Sequence, residues 1–470
     1  MNLENTLQKL VNNNLLSASA VVVKNNKIID EFYFGKMSIE KNELVDENTI
    51  FRIASISKIV VAMAVMKLIE ENKASLDDDI SNILGFKIRN PKYINTPITI
   101  KMLMLHTSSI TDGYYDNDIR GYNGVNVTTK NVSLQDLLIP NHSKYYTEKT
   151  YSNYKPGTNF IYSNFNTGIL ACIVEALSGV TFTKYVETFL FKPLKIDASF
   201  KANQIKNQDK IASLYYKKNN EFLLARDNVS FVNNTYPTFD LKQNYRGPAG
   251  GLFISLKDLS KIMIALMNDG KYKNIQLLQK ETVDLMLQMH YLGSNQDYSA
   301  KGLQMRHLEI NNFVLKGHTG NAYGLRSLLF FNKEESIGIC FATNGGNFKD
   351  YNVGLNDVAL EVLTSFINTY ETKSNHTFKM NLNDKVGYFD NRKIIFSDYL
   401  EKNDDLYLYP IDLANMLNIV PIINDSNITI KYNDNIITLP IINNKVSLKL
   451  SLNELNINYI IDNNNLKIFL

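Results

Sequence analysis

Every residue between Ile59 and Met66 is apolar, so a helix there has no polar face to turn to water and is expected inside a domain rather than on its surface. Upstream, "SASAVVVKNNKIIDEFYFG" sets β-branched and aromatic residues on either side of Asn25-Asn26. That pair tolerates positive φ, so the stretch predicts two short strands around a tight turn. "FNTGILACIVEALSG" and "LKDLSKIMIALMNDG" predict further helices, each closed by a glycine. From 312 to 344 the pattern changes to strands in "NFVLKGH", "LRSLLFFN" and "SIGICFATN", with the charged "NKEES" joining the last two. Strands at both ends with helices between them predict a mixed α/β unit whose sheet is assembled from the two ends of the chain.

The polar stretch "ETKSNHT" (Glu371 to Thr377) marks a boundary. A chain of 470 residues exceeds the roughly 250 to 300 residues at which a single core stops growing, so we divide it into a large domain, 1–370, and a small α+β domain, 378–470. The latter carries a weak internal repeat at an offset of 38 residues. "MLNIVPIINDSNITI" (Met416 to Ile430) aligns with "ELNINYIIDNNNLKI" (Glu454 to Ile468). Each copy predicts a short helix, a strand, an Asn/Asp turn and a strand.

Composition narrows the function by exclusion. Net charge is +3 with no long basic block, which leaves a nucleic-acid role without an electrostatic footprint. The chain holds 24 Phe and 27 Tyr, and its hydrophobic fraction of 44% fits a globular protein. Cys172 and Cys340 each sit in an apolar run, as buried hydrophobes do, rather than as a disulfide or metal pair. The first twenty residues lack the basic start and apolar core of a signal peptide. The Ile59–Met66 run falls short of the roughly 18 residues that span a bilayer, so the expectation is a cytoplasmic, soluble protein. In "LDDDIS" the three adjacent Asp point in different directions and are expected to cap and solvate a helix start rather than bind metal.

Candidate chemistry begins with "FRIASISK", which places Ser55 and Lys58 three residues apart and so on one face of a helix start. Exposed amides at such a start stabilise a developing anion. Lys58, adjoining a wholly apolar segment, is expected to be partly desolvated, which favours its neutral form and proton exchange with the serine. His318, Thr319 and Gly320 end a predicted strand, and the small Gly320 would let a substrate backbone approach closely. The tripeptide Tyr-Ser-Asn occurs twice, at 151–153 and at 162–164.

Taken in order, "FRIASISK", "LMLHTSSI", "PGTNFIYSN", "GPAGGLFIS" and "GHTG" make residues 15 to 365 resemble the penicillin-recognising serine hydrolases. The branch is the one holding class C β-lactamases, D-alanyl-D-alanine carboxypeptidases, D-aminopeptidases and related esterases. The resemblance implies a β-lactamase/transpeptidase-like fold, an antiparallel sheet flanked by helices plus an all-helical region. It also selects the second Tyr-Ser-Asn, which follows Pro156-Gly157 and precedes an apolar helix, leaving the first to a surface loop. Ser55 would attack a carbonyl while Lys58 and Tyr162 move its proton to the leaving group. Asn164 would hold the acyl-side amide, and His318 and Thr319 would orient the substrate and offer a place for a carboxylate. The N–H groups of Ser55 and of Asn321, just past Gly320, would hold the oxyanion. No metal or other cofactor is implied, and the expected partner is a small-molecule or peptide substrate.

Two departures stand out. His318 replaces the lysine usual in β-lactamases of this branch, which favours a peptidase or esterase. Ser109 replaces a common glycine and reads as a minor loop change. Acyl transfer to an amine, β-lactam hydrolysis and a catalytically silent binding protein are the alternatives. Residues 145 to 154 and "GYYDNDIRGYN" (113–123) fall where such proteins place loops over the pocket. The C-terminal repeat resembles the small domain named after the N-terminal part of copper amine oxidases. His376, at the boundary, is the only histidine there and no cysteine is present, so it is read as structural or partner-binding, without copper.

Overall fold

The alternation of side chains along the first strand divides the large domain into two cores. The structure, a computed structural model, describes residues 2–113, 119–126, 128, 130–293, 300–351, 355–372, 374–402, 405–433 and 435–470. Along the chain, helix α1 (Leu3–Asn13) leads into strands β1 (Ser17–Lys24), β2 (Lys27–Ser38) and β3 (Ile50–Arg52) and helix α2 (Ser57–Glu70). Helix α3 (Asn164–Ser178), strand β4 (Phe253–Ser255) and helix α4 (Leu256–Met267) follow. Then come β5 (Met305–Ile310), β6 (Phe313–Ala322), β7 (Leu325–Asn332), β8 (Ile337–Thr343) and helix α5 (Asp357–Tyr370).

Strands β5-β6-β7-β8-β1-β2 run consecutively through a nine-stranded sheet, with short strands outside β5 and beyond β2. The two ends of the domain meet where β1 pairs antiparallel with β8, Val21 opposite Cys340. Successive β1 side chains point to opposite faces. Val21 and Val23 enter the core with α2, α3 and α4, whereas Ala18, Ala20 and Val22 pack with α1 and α5. Asn25 and Asn26 take φ of +50° and +62° in the turn between β1 and β2. That turn is the expected one, but β2 is twelve residues long rather than short.

Helix α2 is buried from Ser57 to Met66, Lys58 included. Helix α3 ends on Gly179 in the left-handed conformation, as expected. Helix α4 instead ends at Met267, and Gly270 lies three residues further on with φ of +81°. Helix α1 was not predicted, although Leu3, Leu7 and Leu10 form its buried stripe and the Asn2 side chain caps it. Asp79 accepts from the Ser81 N–H at the start of a short helix, the capping role read from "LDDDIS". Among the described residues no single helix is long and apolar enough to cross a membrane.

Beyond α5, strands β9 (Thr377–Asn381), β10 (Val386–Phe389) and β11 (Arg392–Ile395), helix α6 (Pro410–Leu417), strands β12 (Asn427–Tyr432) and β13 (Asn435–Pro440), helix α7 (Leu448–Glu454) and strands β14 (Asn458–Asp462) and β15 (Asn465–Phe469) surround a second core. The repeat copies are helix-plus-hairpin units placed in different sheets. The second hairpin joins β11-β10-β9-β15-β14, whereas the first pairs with β13. This region docks on the large domain through apolar and polar groups alike: Met289 and Ala300 enter its core. The Asn415 side chain brackets the Met289 backbone, accepting from its N–H and donating to its carbonyl, both at 2.9 Å, and Arg392 pairs with Glu334 at 2.7 Å.

Candidate active site

Strand β3 pairs with β4, Arg52 opposite Phe253, and the chain then turns sharply. Ala54 sits at φ +49°, a conformation a residue with a Cβ adopts only under constraint. It directs Ser55 into the single turn Ala54–Ile56 just before α2. Ser57, one turn along, locks the arrangement by donating to the Ala54 carbonyl at 2.6 Å and accepting from the Leu252 N–H at 3.1 Å. The "GPAGGLFIS" segment is thereby held against the serine, with the Ala249 carbonyl aimed at Lys58.

Lys58 is fully buried. Its Nζ lies 3.0 Å from Ser55 Oγ, 2.9 Å from Asn164 Oδ1 and 2.8 Å from the Ala249 carbonyl. Burial lowers its pKa to about 7 against the opposing pull of Asp112, with Arg52 lowering it further. A neutral amine has two N–H bonds and one lone pair. Two of the three neighbours are oxygens that only accept, so they take both hydrogens and leave the lone pair facing Ser55 Oγ–H. Tyr162 Oη completes the group by donating to Ser55 Oγ at 2.9 Å. The serine thus lies between two groups able to exchange its proton.

Asn164 is oriented by a residue that the sequence reading missed. Asp112, 3% exposed, accepts from Asn164 Nδ2 at 2.9 Å, Ser163 Oγ at 2.8 Å and the Phe165 N–H at 2.9 Å. A carboxylate only accepts, so the amide nitrogen must face it and Oδ1 must face Lys58. One N–H and one lone pair of Asn164 remain for a ligand. The signal in the sequence was an acid four residues past Ser108 in "HTSSITDG", inside an otherwise uncharged run.

The same loop cradles Tyr162. His106 stacks on its ring at 4.8 Å between centroids and accepts from the Ser163 N–H. Its φ of +56°, like the +67° of Ser109, is a left-handed value that explains why glycine suits the latter position. Ser109 is therefore more than a minor change: it occupies a constrained site, and its hydroxyl accepts from Asn90 at 3.0 Å. The first Tyr-Ser-Asn is not surface loop throughout. Tyr151 is 7% exposed and donates to the Leu138 carbonyl, because a tyrosine ring belongs in a core once its hydroxyl is satisfied.

On the far side, Gly320 answers a need different from the one expected. A Cβ there would lie 2.3 Å from the Ile53 carbonyl and 2.3 Å from Ser327 Oγ, so glycine admits the nucleophile's own turn against β6. Tyr323 and Gly324, at φ +53° and +86°, form the two-residue turn between β6 and β7. Counting hydrogen-bonded pairs back from Ala322–Leu325 turns the Thr319 and Asn321 N–H groups away from β7. Strand β5 pairs with β6 only as far as Gly317, so these groups lie on an open edge. Asn321 lines the same cavity, of about 520 Å³, as Ser55, Tyr162, Asn164, His318 and Thr319. His318 Nδ1 faces the Thr319 carbonyl at 2.6 Å and must therefore carry the proton. Burial, reinforced by Lys301 and Lys58, holds its pKa well below the ordinary value, leaving a neutral ring with an Nε2 lone pair. Such a ring presents a carboxylate with neither charge nor donor. Of "GYYDNDIRGYN", residues 114–118 lie outside the described residues, while Tyr122 and Asn123 line the cavity.

A family model described as Beta-lactamase matches residues 3–364. Protein flp of Staphylococcus aureus (strain MRSA252) is 27% identical over 344 residues, 73% of this chain and 61% of that protein. The chain thus spans about three fifths of that relative's length. The structure of the octameric penicillin-binding protein homologue from Pyrococcus abyssi is 18% identical, with a TM-score of 0.59 over 99% of each chain. The D-amino acid amidase from Ochrobactrum anthropi SV3, complexed with D-phenylalanine, is 17% identical, with a TM-score of 0.57 over 78% of this chain and 98% of that one. At these identities the two structures speak for the fold.

Proposed function

The chain belongs to the beta-lactamase family, a family of serine hydrolases, and on that footing we propose that it cleaves an amide or ester through an acyl-enzyme on Ser55. The observation that carries this reading is the placement of Lys58 Nζ 3.0 Å from Ser55 Oγ, with obligate acceptors as its other two neighbours, so that in its neutral form the lone pair is left for the serine.

Ser55 Oγ attacks the carbonyl carbon while its proton passes to Lys58 Nζ. The carbonyl oxygen becomes an oxyanion held by the N–H groups of Ser55 and Asn321. Lys58 and Tyr162 return that proton to the leaving nitrogen or oxygen, the bond to the carbonyl carbon breaks, and the amine or alcohol departs. Water then adds to the ester on Ser55, gives its proton to the same pair, and releases the carboxylic acid with Ser55 restored. The net reaction consumes one water per bond cleaved.

A pKa of about 7 for Lys58 suits a base that must accept and return a proton near neutral pH. The neutral His318 supports a peptidase or esterase over a β-lactamase. The name of the D-amino acid amidase, a protein of like fold, makes D-amino acid amides a first panel of substrates beside short esters. The test is hydrolysis of a short-chain p-nitrophenyl ester by the wild type and by Ser55→Ala, both shown to be folded by circular dichroism, with intact mass spectrometry for the acyl adduct. Turnover and an adduct in the wild type alone are expected. Equal rates in both proteins refute the mechanism.

A further inference from the structure

Arg52 is the one permanently charged side chain among the described residues lining the cavity around Ser55. It lies in β3, three residues before the nucleophile, and is partly buried. Its guanidinium stands over the Tyr323 ring at 5.3 Å, and Arg226 stands over the same ring at 5.0 Å. The charged and titratable groups that act on it or feel its charge include Tyr323, Tyr236, Tyr122, Arg226 and Lys58, none of them a carboxylate. Other buried cations of this chain are provided for. Arg246 donates to the carbonyls of Val125, Thr128 and Lys130, and Lys316 pairs with Glu334. Arg52, by contrast, meets no carboxylate and no hydrogen-bond acceptor among the described residues, although it carries a planar fork of five donors.

The cavity has a direction. Lys58 and Tyr162 must reach the leaving atom, so the leaving group exits on their side, where the rings of Tyr162 and His318 lie 6.3 Å apart. Strand β6 runs from His318 to Ala322 and into the Tyr323 turn. The acyl portion therefore extends toward Tyr323, where Arg52 stands. Resting on the acyl-enzyme reading above, we propose that Arg52 recognises a carboxylate carried on the acyl portion of the substrate. The preferred acyl donors are then derivatives of dicarboxylic acids or of acidic amino acids with one carboxyl group free. The cavity supplies the means: a cation with unused donors, tyrosine rings around it, and no anionic group among the described lining residues to repel the ligand.

The test compares p-nitrophenyl hydrogen glutarate with p-nitrophenyl methyl glutarate, which differ only in a free against a methylated far carboxyl. The wild type is expected to favour the free acid in kcat/KM by about tenfold to hundredfold, the range for a charged hydrogen bond, and the preference should shrink as salt is raised. In Arg52→Gln the ratio of the two kcat/KM values should fall to about one. If that variant does not fold, the wild-type ratio and its salt dependence carry the test alone. Equal kcat/KM for both esters in the wild type, with turnover abolished in Ser55→Ala, overturns the Arg52 assignment and leaves the nucleophile standing. A preference that survives in folded Arg52→Gln overturns it as well. Absence of both turnover and acyl adduct with either ester removes the serine reading, and this inference with it.

Discussion

Asp112 touches no reacting atom, yet it decides which end of the Asn164 amide faces Lys58, so Asp112→Asn is the sharpest probe of the site. Asparagine can keep the acceptor that serves Ser163 and Phe165, but it then presents an N–H₂ group to Asn164 Nδ2, donor against donor. Either that contact is lost, or Asn164 turns over and Lys58 loses its Oδ1 acceptor. One hydrogen bond with a charged partner is worth about 1.5–3 kcal/mol, so kcat/KM should fall by about 10- to 100-fold on the plateau of the pH profile.

The variant also removes a charge. Asp112 and Lys58 are linked through one amide by two contacts of 2.9 Å, which places them at most about 8 Å apart. At an effective dielectric of about 20 their attraction is about 2 kcal/mol, equivalent to about 1.5 pH units. The sign follows from the role of Lys58. The Asp112 carboxylate favours the ammonium form and raises the Lys58 pKa. Without it the neutral base persists to lower pH, and the acidic limb of kcat/KM, set near 7 in the wild type, moves down. The assay is the pH dependence of ester hydrolysis for wild type and variant, with thermal denaturation confirming the fold. A limb that stays in place or moves up would refute the coupling, and an undiminished plateau would refute the positioning.

Replacing Lys58 with Met should lower ester hydrolysis by about 10²- to 10⁴-fold, the range for a lost general base; because the amine is fully buried, Tm should hold or rise, and a large drop in Tm would show a structural role instead. Gly320→Ala should destabilise by about 1–3 kcal/mol, the cost of overpacking, and abolish activity, since its Cβ would fall 2.3 Å from the Ile53 carbonyl; wild-type Tm would contradict the close approach of β6. His376 lies between Glu335 at 3.0 Å and Asp390 at 2.7 Å, and despite its burial those carboxylates raise its pKa. Its contribution is therefore fully present below about pH 6.5, the unfolded value, and lost as pH rises through the folded value. The Tm gap between wild type and His376→Gln should accordingly be largest in mild acid and close in alkali, and a gap that widens with pH would invert the assignment. Arg392→Ala leaves Glu334 to Lys316 alone in a buried cluster, and breaking such a cluster costs about 3–5 kcal/mol, so chemical denaturation should show the C-terminal region releasing at lower denaturant than in the wild type.

By itself the sequence determined the elements whose cause is local. The apolar run from Ile59 to Met66 marked a buried element, the Asn-Asn pair between β-branched runs marked a turn, and five spaced motifs in order led to Ser55, Lys58 and the second Tyr-Ser-Asn. Helix α1 was legible too, in the spacing of Leu3, Leu7 and Leu10, and went unread because its polar residues outnumber them. Tertiary structure decided what depends on contacts between distant segments. Asp112 acts on Asn164 across 52 positions, and Ala249 reaches Lys58 across 191, separations that no local pattern encodes. Gly320 was read as making room for substrate, yet it makes room for Ile53, because only the folded chain brings that carbonyl to β6. Arg52 stood in plain view within "FRIASISK". A guanidinium becomes informative only when its surroundings show that no acid among the described residues comes to meet it.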